Sequence, residues 1–324
     1  MSSHLKYIID KMPMYFEKLN LLRDQEPTVS VFVLCYNQES YILQTIESIL
    51  SQKTNFPFDI IISDDSSSDK TPQICESLAA INSNITFIKQ EKNLGLMGNF
   101  VKTSKRLRGK YVAICDGDDY WINNNKLQLQ VDFLEKNKEF SVVGTSCFKS
   151  IDDKINKIDI DKYTGPIALS ELSLENKIIA PTAVFLNVYR VLELPQFFHK
   201  FPYGDWPSYL LVMSLTNTAA FKLAEVTAVY RSTIGVSARM REDNTNVALQ
   251  NLEIIKSLMH LEALKPNEAL FKNSLEHHQL ALVTSYNRDK KFLRGAFLML
   301  QILKSNLSLT LFKRYIYSLK KSIV

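Results

Sequence analysis

Residues 111–121 read YVAICDGDDYW, an apolar run that ends in three carboxylates within four residues. The run is typical of a buried β-strand, but clustered acids rarely end such a strand because like charges repel and resist the loss of water. A divalent cation with a phosphate ligand would hold Asp116 and Asp118 together, and Mg²⁺ commonly binds one or two carboxylates plus substrate phosphates. A tight Asp-Gly turn before a helix cap is the alternative, and this stretch alone leaves both interpretations open.

Strand-like and helix-like segments alternate on the N-terminal side of this stretch. Runs of apolar and β-branched residues predict the strands, and apolar positions at helical spacing predict the helices. The predicted strands are residues 29–35, 58–62, 85–89 and 111–115, and the predicted helices are residues 39–52, 69–81 and 98–107. The alternation predicts an α/β fold, with a mixed but mostly parallel sheet and helices on both faces.

Polar residues follow three of the four predicted strands. Ligands of parallel sheets bind outside the carboxyl ends of the strands, so we expect these residues to share one site. The residues are Tyr36, Asn37 and Glu39 after the first strand, Asp64 and Asp65 after the second, and Asp116, Asp118 and Asp119 after the fourth. Three polar strand ends are harder to explain as independent turns than one would be.

The later sequence predicts further elements of both kinds. They are a helix over 126–138, a strand over 141–148, a surface loop or hairpin over 151–163, a helix over 208–215 and a strand pair over 219–223 and 226–230. From about residue 241 glycine and proline nearly disappear, and helical periodicity continues to residue 320.

These patterns suggest a division of the chain into three parts. We predict an N-terminal helical extension at residues 1–27, a single α/β domain at 28–240 and a helical C-terminal region at 241–324.

Composition limits the classes of function. The chain has 324 residues, of which 46% are hydrophobic and 23% charged, as in ordinary globular proteins. A net charge of +5 does not indicate nucleic-acid binding. The first residues lack the apolar segment of a signal peptide, and no apolar run reaches the ~18 residues that cross a bilayer. We therefore predict a cytoplasmic protein with no nucleic-acid partner.

Five segments together resemble the motifs of family-2 glycosyltransferases. VSVFVLCYNQE at residues 29–39 is similar to their opening strand and loop, and SDDSSSDKT at 63–71 resembles their Asp-Asp-x-Ser-x-Asp-x-Thr motif. NLG at 93–95 fits the segment before their Asp-x-Asp strand, and DGDDYW at 116–121 resembles the Asp-x-Asp motif itself. GDW at 204–206 is similar to the motif that supplies their catalytic base. Order and spacing agree over roughly residues 28–240.

The resemblance implies a GT-A fold, in which residues 28–120 would form the nucleotide-binding half and residues 121–240 the acceptor side. It also implies an inverting transfer from a nucleoside diphosphate sugar, of hexosyl or N-acetylhexosaminyl type. Asp118 would bind Mg²⁺ or Mn²⁺, and Asp116 would contact the ribose or the metal. Asp205 would act as general base, and Trp206 would offer an apolar face to a sugar ring. Asp205 also fits the N-cap of the following helix, with Pro207 in its first turn, and both roles are compatible.

The remaining candidates concern the nucleotide. A carboxylate accepts the imide N–H of uracil or thymine, so Asp64 and Asp65 would favour UDP- or dTDP-sugars. Tyr36 would line the base or the ribose, and Asn37 and Glu39 would help to hold the loop.

Two further residues are candidates for contacts with the phosphates. Asn99 begins a helix that would face the phosphates, and Arg231 would pair with phosphate or form a structural salt bridge. Many relatives have a histidine at the position of Thr233, where it assists the metal or the diphosphate. This chain lacks that group.

Other enzyme classes fit less well. A dehydrogenase needs a glycine fingerprint after the first strand, and a nucleotidyltransferase would have an early glycine-rich, basic phosphate loop. Phosphotransfer receivers and haloacid-type phosphatases do not account for Asp64, Asp65 and Asp205 together. A catalytically weak sugar-nucleotide-binding subunit of a polysaccharide assembly system remains open, because Thr233 replaces the histidine.

The final segment, residues 308–324, predicts an amphipathic helix. Its predicted apolar face consists of Phe312, Tyr315, Ile316, Leu319 and Ile323, with lysines and an arginine off it. Such a helix either lies on a membrane surface or packs on the body of the protein or on a second subunit, as in a homodimer. The expected acceptor is a glycan or a lipid-linked oligosaccharide, at the inner face of the cytoplasmic membrane if the helix binds lipid.

Overall fold

The computed structural model describes residues 26–151, 154–156, 163–305 and 309–323. Nearly all of the predicted N-terminal helical extension, residues 1–27, lies outside these ranges. The described strands are β1 (Val29–Cys35), β2 (Phe58–Asp64), β3 (Ile85–Lys89), β4 (Tyr111–Ile114), β5 (Tyr120–Trp121), β6 (Phe140–Ile151), β7 (Lys154–Asn156), β8 (Gly165–Ile167), β9 (Val184–Leu186) and β10 (Ala219–Arg231).

Eleven α-helices occur in the described ranges. They are α1 (Ile42–Leu50), α2 (Thr71–Ile81), α3 (Leu96–Ser104), α4 (Lys126–Lys136), α5 (Leu169–Leu172), α6 (Asp205–Thr216), α7 (Gly235–Arg241), α8 (Asn244–Met259), α9 (Glu268–Arg288), α10 (Phe292–Ser305) and α11 (Leu309–Ile323). Short 3₁₀ turns cover Ala180–Thr182, Val188–Arg190, Gln196–Lys200 and Glu262–Asn267.

The described strands form one mixed sheet in the order β3-β2-β1-β4-β9-β6-β10-β5, with β7 beside β6 and β8 beside β10. The four strands from the N-terminal half, β3, β2, β1 and β4, are parallel to one another. Every residue of β1 is buried, as expected for a central strand covered on both faces. The predicted α/β fold with a mixed sheet is confirmed.

The register of these strands brings their carboxyl ends together. Cys35 at the end of β1 is paired with Asp64 at the end of β2. Beyond the strands, the backbone N–H of Asp65 donates to Cys35 O at 2.9 Å, and that of Gly117 donates to Leu34 O at 3.0 Å. The three polar loops that the sequence predicted to meet therefore leave one edge of the sheet side by side.

The second half of the sheet differs from the prediction, which contained no strands at the positions of β5, β8 and β9. Residues 219–231 form one long strand, β10, which runs parallel to β6, instead of the predicted strand pair. The register shifts between Lys222 and Val226, where an irregularity in the pairing accommodates the residues that separate the two predicted strands. Antiparallel β9 then joins this half to β4. The predicted loop or hairpin over 151–163 is a hairpin where described, because β7 pairs antiparallel with β6.

Beyond β10 the described residues form helices and short connections. The final helix docks on its neighbours: Leu311 of α11 joins Val283 of α9 with Met299 and Ile302 of α10 in a separate small core, and Tyr315 packs against it. Phe312, predicted on the same apolar face, is 46% exposed. The helix is thus rotated relative to the prediction, because Leu311 fills the small core in place of Phe312.

Within the described ranges, no helix has both the length and the apolar content needed for a bilayer crossing.

Candidate active site

A cavity of about 600 Å³ opens at the carboxyl edge of the parallel strands. Seven of the predicted site residues line it: Tyr36, Asp65, Asn99, Asp116, Asp118, Asp205 and Arg231. Four others do not line it, namely Asn37, Glu39, Asp64 and Trp206. The structure therefore brings together acids from the ends of β2 and β4 and from the start of α6, which lies more than eighty residues further along the chain.

Asp116 and Asp118 lie in the loop directly after β4, where the apolar strand ends. Burial, together with the negative charges of Asp118 and Asp205, raises the pKa of Asp116 to about 8. Burial also raises the pKa of Asp118, although the Arg231 charge and a hydrogen bond from Gln38 oppose the shift. These carboxylates are held close together in a poorly solvated place, which is unfavourable without a compensating positive charge.

The donor set of this loop fits Mg²⁺ or Mn²⁺ bound together with a phosphate-containing substrate. Two carboxylates of one loop face the cavity, and such ions usually take one or two protein carboxylates and complete their shell with phosphate and water. Nowhere in the described ranges could a group of three or more His, Cys, Asp or Glu side chains hold a metal ion by itself. The loop alone is thus an incomplete site, and a diphosphate would complete it.

Asp119 and Arg231 fix the shape of this loop. The backbone N–H of Arg231, at the end of β10, donates to Asp119 Oδ1 at 2.8 Å, and its guanidinium donates to the backbone O of Asp118. The guanidinium carbon lies 4.7 Å from the ring centre of Tyr41 and 4.8 Å from that of Tyr120. Arg231 lines the cavity, but these contacts hold its charged end against the loop.

A second set of contacts holds the same loop from α1. The Thr45 hydroxyl lies within hydrogen-bond distance of Gly117 O at 3.0 Å and of Asp119 O at 2.6 Å. Gly117 is packed so closely that a Cβ atom there would overlap Gln38 Oε1 and come within 2.9 Å of the Cys35 Cβ. The glycine between the acids is therefore required by packing.

The two acids after β2 have different environments. Asp64 is fully buried behind the cavity wall, and its two oxygens accept from the backbone N–H and the hydroxyl of Ser67. Asp65 lines the cavity, and its Oδ1 accepts from the backbone N–H of Leu94 at 2.8 Å. Burial raises the pKa of Asp65, while the N–H groups of Leu94 and Gly95 oppose that shift. Only Asp65 of this pair is presented to a ligand.

In the loop after β1, one residue lines the cavity and two others hold the loop in place. Tyr36 is 48% exposed and lines the cavity. Asn37 Oδ1 accepts from the Ser68 backbone N–H at 2.9 Å, and Glu39 Oε2 accepts from the Lys70 backbone N–H at 2.8 Å. Asn37 and Glu39 thus tie this loop to the one after β2, as predicted for a supporting role.

Asn99, like Arg231, lines the cavity and also holds neighbouring elements together. It is 1% exposed, and its Oδ1 accepts from the Ser63 hydroxyl at 2.6 Å and from Gln90 Nε2 at 3.0 Å. Its Nδ2 donates to Ser63 O at 3.1 Å. The amide therefore joins α3 to β2, although the residue contributes to the cavity wall.

Asp205 is the first residue of α6 and faces the same cavity. Gly204 precedes it at the N-cap position and no side chain caps the helix, so the predicted capping role of Asp205 is wrong. Asn176 Nδ2 donates to Asp205 Oδ2 at 3.1 Å. Burial raises the pKa of Asp205 to about 6, and the Trp206 N–H and the Asn176 amide oppose the shift. A Cβ atom at Gly204 would come within 2.6 Å of the Phe100 ring.

Trp206 supports Asp205 from behind and does not reach the cavity, so its predicted place against a sugar ring does not match the structure. It is 1% exposed, its Nε1 donates to Leu172 O at 2.7 Å, and its ring centre lies 5.6 Å from that of His278 on α9. The neighbouring carbonyl of Ser173 accepts from the Ser274 hydroxyl at 2.7 Å and lies 2.9 Å from His278 Nε2. The C-terminal helices therefore buttress the segment that presents Asp205.

Some lining residues had no motif to reveal them. Asn176 lies in a connection 29 residues before Asp205, and Lys149 lies on β6 opposite Tyr230 of β10. Arg239 of α7 also lines the cavity, together with Arg241, which donates to the Tyr230 hydroxyl at 3.2 Å. Only the pairing of distant strands and helices brings these groups to the acids.

The sequence is similar to those of known glycosyltransferases. The family model described as "Glycosyl transferase family 2" matches residues 30–185. The chain is 37% identical over 124 residues to the uncharacterized protein Rv1520 of Mycobacterium tuberculosis, covering 38% of this chain but only 35% of that relative's length. It is 30% identical over 211 residues to TuaG of Bacillus subtilis, a putative teichuronic acid biosynthesis glycosyltransferase, covering 64% of this chain and 79% of TuaG.

Two solved structures show the same fold. Staphylococcus aureus TarS 1–349 in complex with UDP-GlcNAc superposes with a TM-score of 0.54 at 19% identity, covering 91% of this chain and 80% of that chain. The mannosyltransferase PcManGT from Pyrobaculum calidifontis, in complex with GDP-Man and Mn²⁺, gives a TM-score of 0.58 at 17% identity, covering 99% and 96%. These likenesses confirm the expected GT-A fold and, at such identities, nothing finer.

Proposed function

The chain belongs to glycosyl transferase family 2, and we propose that it is an inverting transferase that moves a sugar from a UDP- or dTDP-sugar to a hydroxyl group of a glycan or lipid-linked acceptor. One observation supports this most: Asp116, Asp118 and Asp205 line one cavity, and all three have pKa values raised by burial. Carboxylates kept in such surroundings are typical of sites that bind a cation and move a proton.

The nucleotide would lie along the loops after β1 and β2. Asp65 is the acid presented there, and its second oxygen would accept the imide N–H of a uracil or thymine base. Tyr36, half exposed at the cavity wall, would contact the base or the ribose. Asp116 would reach the ribose or the metal. This arrangement gives Asp64 a supporting role behind Asp65.

Asp118 and Asp116 would hold Mg²⁺ or Mn²⁺ together with the donor diphosphate. When bound, the ion stabilises the negative charge that the departing diphosphate develops. Lys149 and Arg239 also line the cavity, and we propose that they contact the diphosphate oxygens, which would offset the absence of a histidine at Thr233.

Asp205 would act as the general base. Its carboxylate takes the proton of the acceptor hydroxyl while the acceptor oxygen bonds to the anomeric carbon and the bond to the diphosphate breaks. One displacement without an enzyme nucleophile inverts that carbon. A pKa of about 6 leaves Asp205 ionised at neutral pH and still able to bind a proton in the transition state.

The acceptor class follows from chemistry and from one relative. TuaG is named for teichuronic acid biosynthesis, which supports a cell-surface polysaccharide or its lipid-linked precursor as the acceptor. Asp205 faces the side of the cavity formed by the later segments, which leaves that side for an acceptor hydroxyl. A catalytically weak sugar-nucleotide-binding subunit is the second candidate. The observation that favours it is the exposed Thr233, which stands where many relatives have a histidine.

Release of nucleoside diphosphate from a panel of UDP-, dTDP- and GDP-sugars, with Mg²⁺ or Mn²⁺, tests the proposal. Because release without acceptor is slow, calorimetry of each nucleotide with and without the cation accompanies it. We expect UDP or dTDP to bind in a cation-dependent manner. We also expect release of the nucleoside diphosphate, and Asp205→Asn should abolish this release. Binding without release from any donor, unchanged in Asp205→Asn, would favour the binding subunit instead. Absence of nucleotide binding would overturn both.

A further inference from the structure

The last 35 residues of the chain have an unusual charge balance. Residues 290–324 contain eight lysines and arginines and no aspartate or glutamate. Residues 1–289 carry the remaining 31 cations against 34 acids, so this part is net negative while the last segment is strongly positive. A block of one charge at this density attracts an oppositely charged surface.

The helix α10 has apolar residues on both of its faces. Met299 and Ile302 are 2% and 1% exposed in the small core shared with α9 and α11. Leu293, Phe297 and Leu300, spaced by four and three residues, form a stripe on the other face and are 89%, 65% and 60% exposed. Scattered single apolar residues are normal on a surface, but an apolar stripe at helical spacing marks a face that contacts another molecule or a membrane.

The neighbouring helix α11 adds aromatic and basic side chains. Phe312 and Tyr317 are 46% and 61% exposed, and the Lys321 ammonium lies 5.2 Å from the ring centre of Tyr317. Lys313 and Lys320 are exposed as well. The docking of Leu311 and Tyr315 onto the small core leaves these side chains on the outer side of the helix.

We propose that this surface, defined by Leu293, Phe297 and Leu300 of α10 with Lys313, Lys320 and Lys321 of α11, binds the surface of an anionic lipid bilayer. Apolar side chains would enter the boundary between head groups and acyl chains, and the lysines would pair with the phosphates of anionic lipids. A second copy of this chain fits less well, because an isologous dimer through this face would bring two sets of eight cations together. The proposal uses no residue of the cavity and does not depend on the proposed reaction.

Flotation of the full chain with vesicles tests this surface. We compare vesicles of phosphatidylcholine alone with vesicles that also contain phosphatidylglycerol. The protein is expected to float with the anionic vesicles and to be released partly by high salt, because salt screens the charges but not the apolar contact. Combined Leu293→Gln, Phe297→Gln and Leu300→Gln should weaken partition at least about tenfold. Combined Lys313→Gln, Lys320→Gln and Lys321→Gln should do the same for anionic vesicles.

Two matched substitutions control for general surface effects. Ile81→Gln changes an apolar side chain that is 79% exposed on α2, and Lys136→Gln changes an exposed lysine on α4; neither should alter partition. Thermal unfolding checks that all variants remain folded. The proposal is overturned if the protein floats equally with both vesicle types, if it floats with neither, or if the apolar triple variant floats like the parent. A dimer that this variant converts to monomer, without vesicle binding by the parent, would assign the face to a second copy.

Discussion

The loop after β4 and the segment that begins α6 present acids to the same cavity, but different parts of the chain hold them. The loop with Asp116 and Asp118 is fixed by its own sheet, through the contacts of Arg231 at the end of β10. Asp205 is fixed by Asn176 and by Trp206, which rests against helix α9 of the C-terminal region. The acidic loop, which is the donor side of the proposed site, is therefore supported by the sheet. Asp205, on the proposed acceptor side, is supported partly by helix α9, which no motif marks.

The largest expected effect separates the two acids by function. Asp205→Asn should lower kcat by at least about a hundredfold, because the base is lost, while the Kd for nucleotide with cation stays unchanged. Asp118→Asn should instead weaken cation-dependent nucleotide binding. Initial rates and calorimetry measure both. Asp132→Asn, an exposed acid on α4, is the control and should change neither. Loss of nucleotide affinity in Asp205→Asn would contradict this division of roles.

The two tryptophans of the chain offer a matched pair for the same comparison. Trp121 Nε1 donates to Pro181 O at 2.9 Å beside the acidic loop, and Trp206 Nε1 donates to Leu172 O at 2.7 Å behind Asp205. Changing either to Phe leaves a buried carbonyl without its donor and should reduce the free energy of unfolding by about 1–3 kcal/mol.

The kinetic effects of these two changes should differ. Trp121→Phe is expected to raise KM for the donor a few-fold, because Trp121 follows Tyr120, which packs on Arg231. Trp206→Phe is expected to lower kcat, because it loosens the segment that presents Asp205. Thermal unfolding and steady-state kinetics measure the two effects. If both variants change the same kinetic parameter, the two sides are not supported independently.

The charge repulsion on the donor side predicts a stability effect that depends on pH. In the folded protein the pKa of Asp116 is raised to about 8, whereas an unfolded chain keeps it near its usual value of about 4. The ionised form is thus disfavoured in the fold, and stability is lost as pH rises from about 4 to about 8. Asp116→Asn removes this loss and should raise the Tm by on the order of 3 °C at pH 8 in chelator, and hardly at pH 4.

Binding of cation and nucleotide should reverse the sign of the Tm difference between the parent and Asp116→Asn. With Mn²⁺ and UDP at pH 8, the parent should gain thermal stability, while Asp116→Asn gains less because a candidate ligand is missing. Calorimetric or fluorescence melts at both pH values check this expectation. A Tm difference that is equal at pH 4 and pH 8 would show that Asp116 is not held as a disfavoured ion.

The smallest expected effect concerns Asn176. Its amide stabilises the ionised form of Asp205, so Asn176→Ala should raise the pKa of Asp205 and move the acid limb of the kcat/KM profile upward by less than about one pH unit. Asn93→Ala is the control, because Asn93 lines the cavity but its Oδ1 accepts from the Gly95 N–H. An acid limb that stays in place in Asn176→Ala would separate this limb from Asp205.

The sequence predicted the donor side more fully than the acceptor side. Parallel strands that end in polar loops must bring those loops to one edge, so the positions of Asp65, Asp116 and Asp118 followed from strand order. The same pattern gave no way to separate Asp65, which lines the cavity, from Asp64, which is buried behind it. Adjacent residues at a strand end point in different directions, and only the turn that follows decides which one faces the ligand.

On the acceptor side, sequence patterns located Asp205 but misjudged its neighbours. Trp206 is apolar and large, which suits a sugar platform as well as a core, and its burial depends on α9. The strand pair predicted over 219–230 is one bulged strand, because pairing with β6 continues on both sides of the register shift. The predicted domain boundaries and the predicted homodimer stay predictions.

Sequence patterns were enough to predict the family, the mixed α/β sheet and the three acid-bearing segments, because strand periodicity and short motifs are local properties of the chain. The tertiary structure decided which acids face the cavity, which tryptophan supports which acid, and that the apolar stripe of α10 faces outward. These outcomes depend on contacts between residues far apart in the chain, as in the contacts of Ser274 and His278 with the Ser173 carbonyl, next to the Leu172 carbonyl that accepts from Trp206. Such contacts have no periodic signature, because packing at a distance depends on shape and burial and not on the order of neighbouring residues.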